Sequence, residues 1–182
     1  MKIVRIIGGL GNQMFQYAFA IALSQHDKHA NVKIDPMAFH GYPLHDGFLL
    51  DYVFPISLPV ASLVEIVKCN YLINHYRIWQ LCRHILPKHR KVYFEKEDMV
   101  FDSMVLDDKS KSYFDGYWQS EQYFNVYRSI ILSEFKFPEL DKKNAELMNS
   151  LKDKIITSIH VRRGDYLNNP LFKNLSDLDY YK

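Results

Sequence analysis

An α/β domain with a mainly parallel sheet is the fold class this sequence predicts, and three observations predict it. An apolar run, KIVRIIGG from Lys2, meets a glycine-rich turn that opens into a helical run. A second short strand, VKID, follows and ends in Asp35. Two aromatic, strand-like segments, VYFE at 92–95 and KSYFDGYW at 111–118, come after further helical sequence. Strands that alternate with helices favour parallel pairing, since each crossover returns the chain to the same end of the sheet. The length suits this class: 182 residues, 48% hydrophobic and 15% aromatic, make one good domain or one domain and part of another.

Taken in order, strand 2–7 leads to a helix over about 12–26 and then to strand 31–35. A loop rich in Pro, Gly and His runs to about residue 59. One long helix is expected over Ser62 to Leu86, where Leu63, Val64, Ile66, Val67, Tyr71, Ile78, Leu81 and Cys82 fall near helical spacing. Segments 92–95 and 111–118 alternate as half-buried strands do. Ser120 to Phe135 reads as a helix with Ser120 as N-cap, and Pro138 ends that unit. A short charged helix over 141–151 leads into KIITSIHV, from Lys154, the clearest strand of the second half. The polar stretch Glu139 to Asp153 is the best boundary, which gives an N-terminal domain over 1–152 and the start of another over 153–182. A second α/β unit needs several more strands to cover KIITSIHV on both faces, so the chain is expected to be cut short.

Composition removes several classes. A net charge of +2 is too small to imply a nucleic-acid partner. Cys69 and Cys82, thirteen residues apart on the expected long helix, would stand roughly 20 Å from each other. They therefore read as buried free thiols of a reducing compartment. Nothing resembles a signal peptide or a membrane span, and a cytoplasmic protein is expected. The eight histidines include a close pair, His26 and His29, without further ligands at zinc-like spacing.

The strongest chemical signal is HVRRGD, His160 to Asp165, at the carboxyl end of the strand from Lys154. Open α/β sheets bind ligands just beyond that end. Arginines there stay charged and pair bidentately with phosphate oxygens, and Asp165 would steady one of them. A structural Arg–Asp pair at a loop fits the hexapeptide equally well.

HVRRGDY, together with GGLGNQMFQYAFA near the start and YFDGYWQSEQYF between them, resembles the bacterial α-1,2-fucosyltransferases of glycosyltransferase family 11. The three blocks keep the family's order and approximate spacing, across the family's N-terminal part alone. The resemblance implies a GT-B-like enzyme: a Rossmann-like acceptor domain, then the first strand and loop of a Rossmann-like donor domain. It implies inverting transfer of L-fucose from GDP-fucose to the 2-hydroxyl of a galactose, with no cofactor and no essential metal. By position, Arg162 matches the arginine that contacts the donor β-phosphate, Arg163 and Asp165 its supports, and His160 a nucleotide-side contact. Gly9 and Gly11 fall on the donor side of the glycine turn, and Asn12 matches an active-site asparagine of the related protein O-fucosyltransferases. Gln13, Asp115 and Trp118 are acceptor-side candidates. Asp35, Asp46 and Asp115 stay open as the general base, because Asn12 can only orient a hydroxyl at neutral pH. The acceptor would be a galactose-terminated oligosaccharide or a lipid-linked glycan. The basic run RHILPKHRK, Arg83 to Lys91, would give peripheral contact with an anionic membrane, or else a solvated face.

Two further readings compete. SDLD, Ser176 to Asp179, holds the D-x-D of metal-dependent glycosyltransferases, but it equally makes a capping box for the helix that follows. Gly9, Gly11 and Asp35 outline a dinucleotide fingerprint, yet Met14 stands where its third glycine belongs. An NAD(P)-dependent oxidoreductase and a non-catalytic carbohydrate-binding remnant are therefore the alternatives to a transferase.

Overall fold

The computed structural model describes residues 1–42, 46–71, 75–97 and 99–159. The chain divides into two compact units, Met1–Pro138 and Glu139–Lys182.

The first unit is built on four parallel strands: β1 (Lys2–Arg5), β2 (Val32–Asp35), β3 (Val92–Phe94) and β4 (Tyr113–Asp115). Their spatial order is β2-β1-β4-β3. Helix α1 (Leu10–His26) makes the β1–β2 crossover. It is buried almost all round from Tyr17 to Leu23, as a helix apolar on every side must be. Four shorter α-helices follow among the described residues: α2 (Leu50–Val53), α3 (Leu63–Val67), α4 (Tyr76–Ile85) and α5 (Arg128–Glu134).

Alternation along the strands sorts the core into two layers. Val4, Val32, Ile34 and Phe114 face α1, where Phe19 stacks on Trp118 with centroids 4.2 Å apart. Ile3, Val92 and Tyr113 face the other way and pack with Ala61, Ile66 and Cys69 from the α3 region. By the same alternation Arg5, Asp35 and Asp115 share the α3 face, one at the carboxyl end of each of three adjacent strands.

Several expected elements are corrected. The single helix over 62–86 is two helices, α3 and α4, so Cys69 and Cys82 do not share one helix; both thiols are free. The apolar residues of α3 do not form one buried stripe: Ile66 is buried, while Val64 and Val67 are exposed. The break lets Cys69 turn into the core beneath β1. Burial pushes its thiol up to about 11, which leaves it unreactive. The helix expected over 120–135 opens instead as two 3₁₀ turns, Glu121–Tyr123 and Asn125–Tyr127, and becomes α-helical at Arg128; the Ser120 side chain caps nothing. Those turns let Tyr123 drive its ring against Phe19 and Trp118, which a regular helix would point elsewhere. Strand 111–118 is shortened to β4 because Trp118 adopts a φ of 55° and folds back into the core.

In the second unit, α6 (Lys142–Leu151) is capped by the Asp141 carboxylate, which accepts from the Asn144 N–H at 2.8 Å. The residues expected to open a strand, 155–159, form none among the described residues. Ile155, Ile156 and Ile159 are exposed there.

Helix α3 carries a pH-dependent cap. Ser62 and Glu65 form a capping box, and Lys33 on β2 donates to Glu65 at 2.6 Å. The Lys33 hydrogen bond, then those from Ser62, hold the Glu65 carboxyl down to about 2 from the ordinary 4.5. A depressed carboxyl stabilises the fold above its unfolded value, and that contribution fades as pH falls through the folded one. The wild type should therefore be more heat-stable than Glu65→Gln at neutral pH, with the gap closing between pH 4.5 and about 2. Paired melting curves across that range check it.

Candidate functional site

The carboxyl edge of the sheet gathers a rigid glycine turn and a polar cavity. The turn between β1 and α1 needs Gly8, whose φ is 92°. A Cβ there would also stand 2.7 Å from the Asn12 amide nitrogen. Gly9 serves as the extended N-cap of α1, and Gly11 lies in the first helical turn with open space around it.

Two buried glutamines of α1 lock this turn. Gln16 accepts from the Ile7 N–H at 2.9 Å and donates to the Gly116 carbonyl at 3.1 Å, joining the ends of β1 and β4. Gln13 donates to the carbonyls of Gly8 and Gly47 and accepts from the Leu49 N–H. Gln13 is wholly buried and clamps the loop. Asn12, half-buried at the tip, accepts from the Gln119 side chain at 2.7 Å.

Beside the turn, on the α3 face, lies a cavity of about 450 Å³. Its floor holds Arg5, whose Nη1 donates to both oxygens of Asp115 at 2.9 and 3.0 Å. Burial alone would lower the Arg5 pKa; Asp115, Tyr113 and Asp35 outweigh it, and the guanidinium stays charged. The Trp79 ring of α4 lies over that guanidinium, 3.9 Å from centroid to Cζ. Asp35 accepts from the Tyr113 hydroxyl at 2.6 Å and from the Met37 N–H at 2.9 Å. Burial raises its pKa, an effect these hydrogen bonds oppose.

Glu95, just past β3, accepts from the backbone N–H groups of Tyr117 and Trp118. Gly116 lets it approach: a Cβ there would meet the Glu95 Cβ at 2.5 Å. Trp118 itself is fully buried and stacks on Phe19. Of the other expected residues, Asp115 stands on the cavity wall, and Gly9, Gly11 and Asn12 stand on the turn. His160, Arg162, Arg163 and Asp165 lie outside the described residues, as does Ser176 to Asp179. His26 is paired with Asp107 at 2.7 Å, and no group of three or more metal-ligating side chains occurs among the described residues.

The profile of glycosyl transferase family 11 matches residues 1–182. The chain belongs to that family. Among curated relatives, this family 11 chain is 32% identical over 171 residues to an Escherichia coli alpha-1,2-colitosyltransferase, covering 92% of the chain and 56% of the relative. It is 28% identical to the Escherichia coli O-antigen biosynthesis glycosyltransferase WbnK, covering 96% of the chain and 64% of the relative. A rat galactoside alpha-(1,2)-fucosyltransferase 2 is 27% identical, over 92% of the chain and 41% of the relative. The chain thus spans roughly half the length of the relatives it matches. No solved structure matches it.

Sequence reading of this family 11 chain missed Arg5, Gln16, Glu95 and Trp79. A signal existed for Arg5, a charge in the middle of the apolar run KIVRII. None existed for Gln16, which becomes a clamp only when β4 arrives beside β1.

The two glycines of the turn separate stability from function. Gly8→Ala should cost roughly 1–3 kcal/mol through its left-handed backbone and should displace Asn12. Gly11→Ala should be neutral or stabilising, by at most about 1 kcal/mol, and should lower turnover if the donor lies against it. Urea unfolding beside a transfer assay reads both.

Proposed function

We propose that this chain forms the acceptor-side domain and the opening of the donor domain of a GT-B-type fucosyltransferase. The enzyme transfers L-fucose from GDP-fucose to the 2-hydroxyl of a galactose in a surface glycan, with inversion and without an essential metal. The family match across residues 1–182 carries this reading. The names of two relatives support the sugar and the linkage: the rat protein is named a galactoside alpha-(1,2)-fucosyltransferase, and a mouse protein, 27% identical, is named galactoside 2-alpha-L-fucosyltransferase Sec1.

In this reading Arg162 binds the β-phosphate and stabilises the charge left on GDP as the bond to fucose C1 breaks. Such help is larger in the transition state than in the ground state, which is what lowers the barrier. Arg163 and Asp165 hold it in place, and His160 meets the nucleotide. Asn12, fixed by Gln119, orients the acceptor hydroxyl, and Asp35 and Asp115 are the carboxylates near enough to the same edge to take its proton. A lipid-linked acceptor is supported by α4, which leaves Ile78, Leu81 and Ile85 exposed a short way before exposed Lys88 and Arg90.

A colitosyl donor is the second reading, favoured by the 32% identical relative. Colitose is fucose without its 3-hydroxyl, so a site that hydrogen-bonds this hydroxyl separates the two donors strongly. The protein expressed from its native reading frame, given a β-galactoside and either GDP-fucose or GDP-colitose, should form the fucosylated product, in EDTA as in buffer. Transfer of colitose alone would establish the second reading. Binding of NAD(H) with no transfer from either donor would overturn both.

A further inference from the structure

We infer that the cavity on the α3 face is the ring-binding subsite for an uncharged acceptor sugar, with Arg5 and Asp115 gripping neighbouring hydroxyls and Trp79 against the ring. This rests on the glycosyl-transfer reading above.

The decisive observation is the state of Arg5. Its side chain is 5% exposed, and Nη1 is committed to Asp115. Nη2 is buried and finds no hydrogen-bond partner among the described residues. A buried guanidinium arm without an acceptor is rare in a folded protein and calls for an explanation. Asp115 accepts from a single nitrogen and keeps lone pairs for other donors. An unpaired donor beside an acceptor with spare lone pairs matches two adjacent sugar hydroxyls, each of which donates and accepts.

The walls fit a sugar as well. Tyr42, Tyr76, Trp79 and Tyr117 line the cavity, and Tyr76 stacks on Trp79 with centroids 5.7 Å apart. Flat aromatic faces suit the apolar C–H face of a pyranose, while a few fixed polar groups set its orientation. The volume of about 450 Å³ lies within the usual range for small-molecule sites. Apart from His89, the charged lining is two cations, Arg5 and Lys88, against three carboxylates, Asp35, Glu95 and Asp115. That balance opposes an added carboxylate, so the site selects a neutral hexose over a uronic acid. Because the indole lies over the guanidinium, a sugar that takes Nη2 shifts the indole, and Trp79 reports the event.

The test is a titration of the 182-residue chain, without donor, against methyl β-galactopyranoside and the matching methyl galacturonide. The galactoside should change tryptophan fluorescence saturably, because Trp79 lines the cavity while Trp118 is fully buried. The galacturonide should bind at least about tenfold more weakly. Arg5→Lys keeps the charge beside Asp115 but loses the second arm, and should weaken galactoside binding by about tenfold or more in ligand-observed NMR. Trp79→Leu should abolish that signal with an unchanged circular dichroism spectrum, and it decides the matter if Arg5→Lys fails to fold. No response to the galactoside, equal binding of both sugars, or wild-type binding by Trp79→Leu would overturn the subsite. With no donor present, failure of the transferase reading leaves this result standing. Conversely, transfer to galactosides with an unchanged KM in Trp79→Leu sinks the subsite and leaves the transferase.

Discussion

Asp115→Ala should destabilise the chain by about 3–5 kcal/mol, the usual cost of removing one partner from a buried ion pair. Arg5 and Asp115 are 5% and 14% exposed at the side chain, and both Asp115 oxygens accept from the same guanidinium nitrogen. Removing the carboxylate leaves a cation at the carboxyl ends of β1 and β4, in a site where burial already disfavours charge. Most of the loss comes from that stranded cation, so the apolar pair Arg5→Met with Asp115→Leu should be markedly more stable than Asp115→Ala alone. Equilibrium urea unfolding of the three proteins provides the comparison. A loss below about 1 kcal/mol for Asp115→Ala would mean that the guanidinium is solvated and that the pair is not a structural unit.

On the proposed fucosyl-transfer reading, Arg162→Ala should have the largest effect on rate. By analogy with the loss of one preorganised donor to a developing anion, turnover should fall roughly 10²-fold or more. In the proposed reaction the reason is charge: GDP would gain negative charge as fucose leaves, and a guanidinium can meet a phosphate with two parallel hydrogen bonds. Arg162→Lys should recover part of the loss, since it returns the charge but not the fork. Because the effect belongs to the transition state, kcat and kcat/KM for GDP-fucose should fall together. Unchanged turnover with unchanged GDP-fucose affinity in the alanine variant would remove Arg162 from the reaction.

The parallel class, the first crossover and the glycine turn were legible because each has a local cause. KIVRIIGG and VKID are apolar runs bounded by breakers, and only glycine adopts the Gly8 backbone without strain. The long helix over 62–86 misled because helical spacing of apolar residues does not say which of them are buried. Val64 and Val67 kept the period and faced solvent. Gln13 read as an acceptor-side candidate and Gln16 carried no signal, although their amides hold three chain segments together. Trp118 read as an acceptor-side candidate, and its positive φ, which periodicity does not show, turns it into the core.

What the sequence determined by itself was therefore the kind of sheet, the turn that opens α1, and the family to which HVRRGDY and GGLGNQ belong. Only the tertiary structure decided that β4 lies beside β1, bringing together residues 110 positions apart as an ion pair under Trp79. Strand order depends on long-range packing of whole faces, which local propensity and periodicity do not encode.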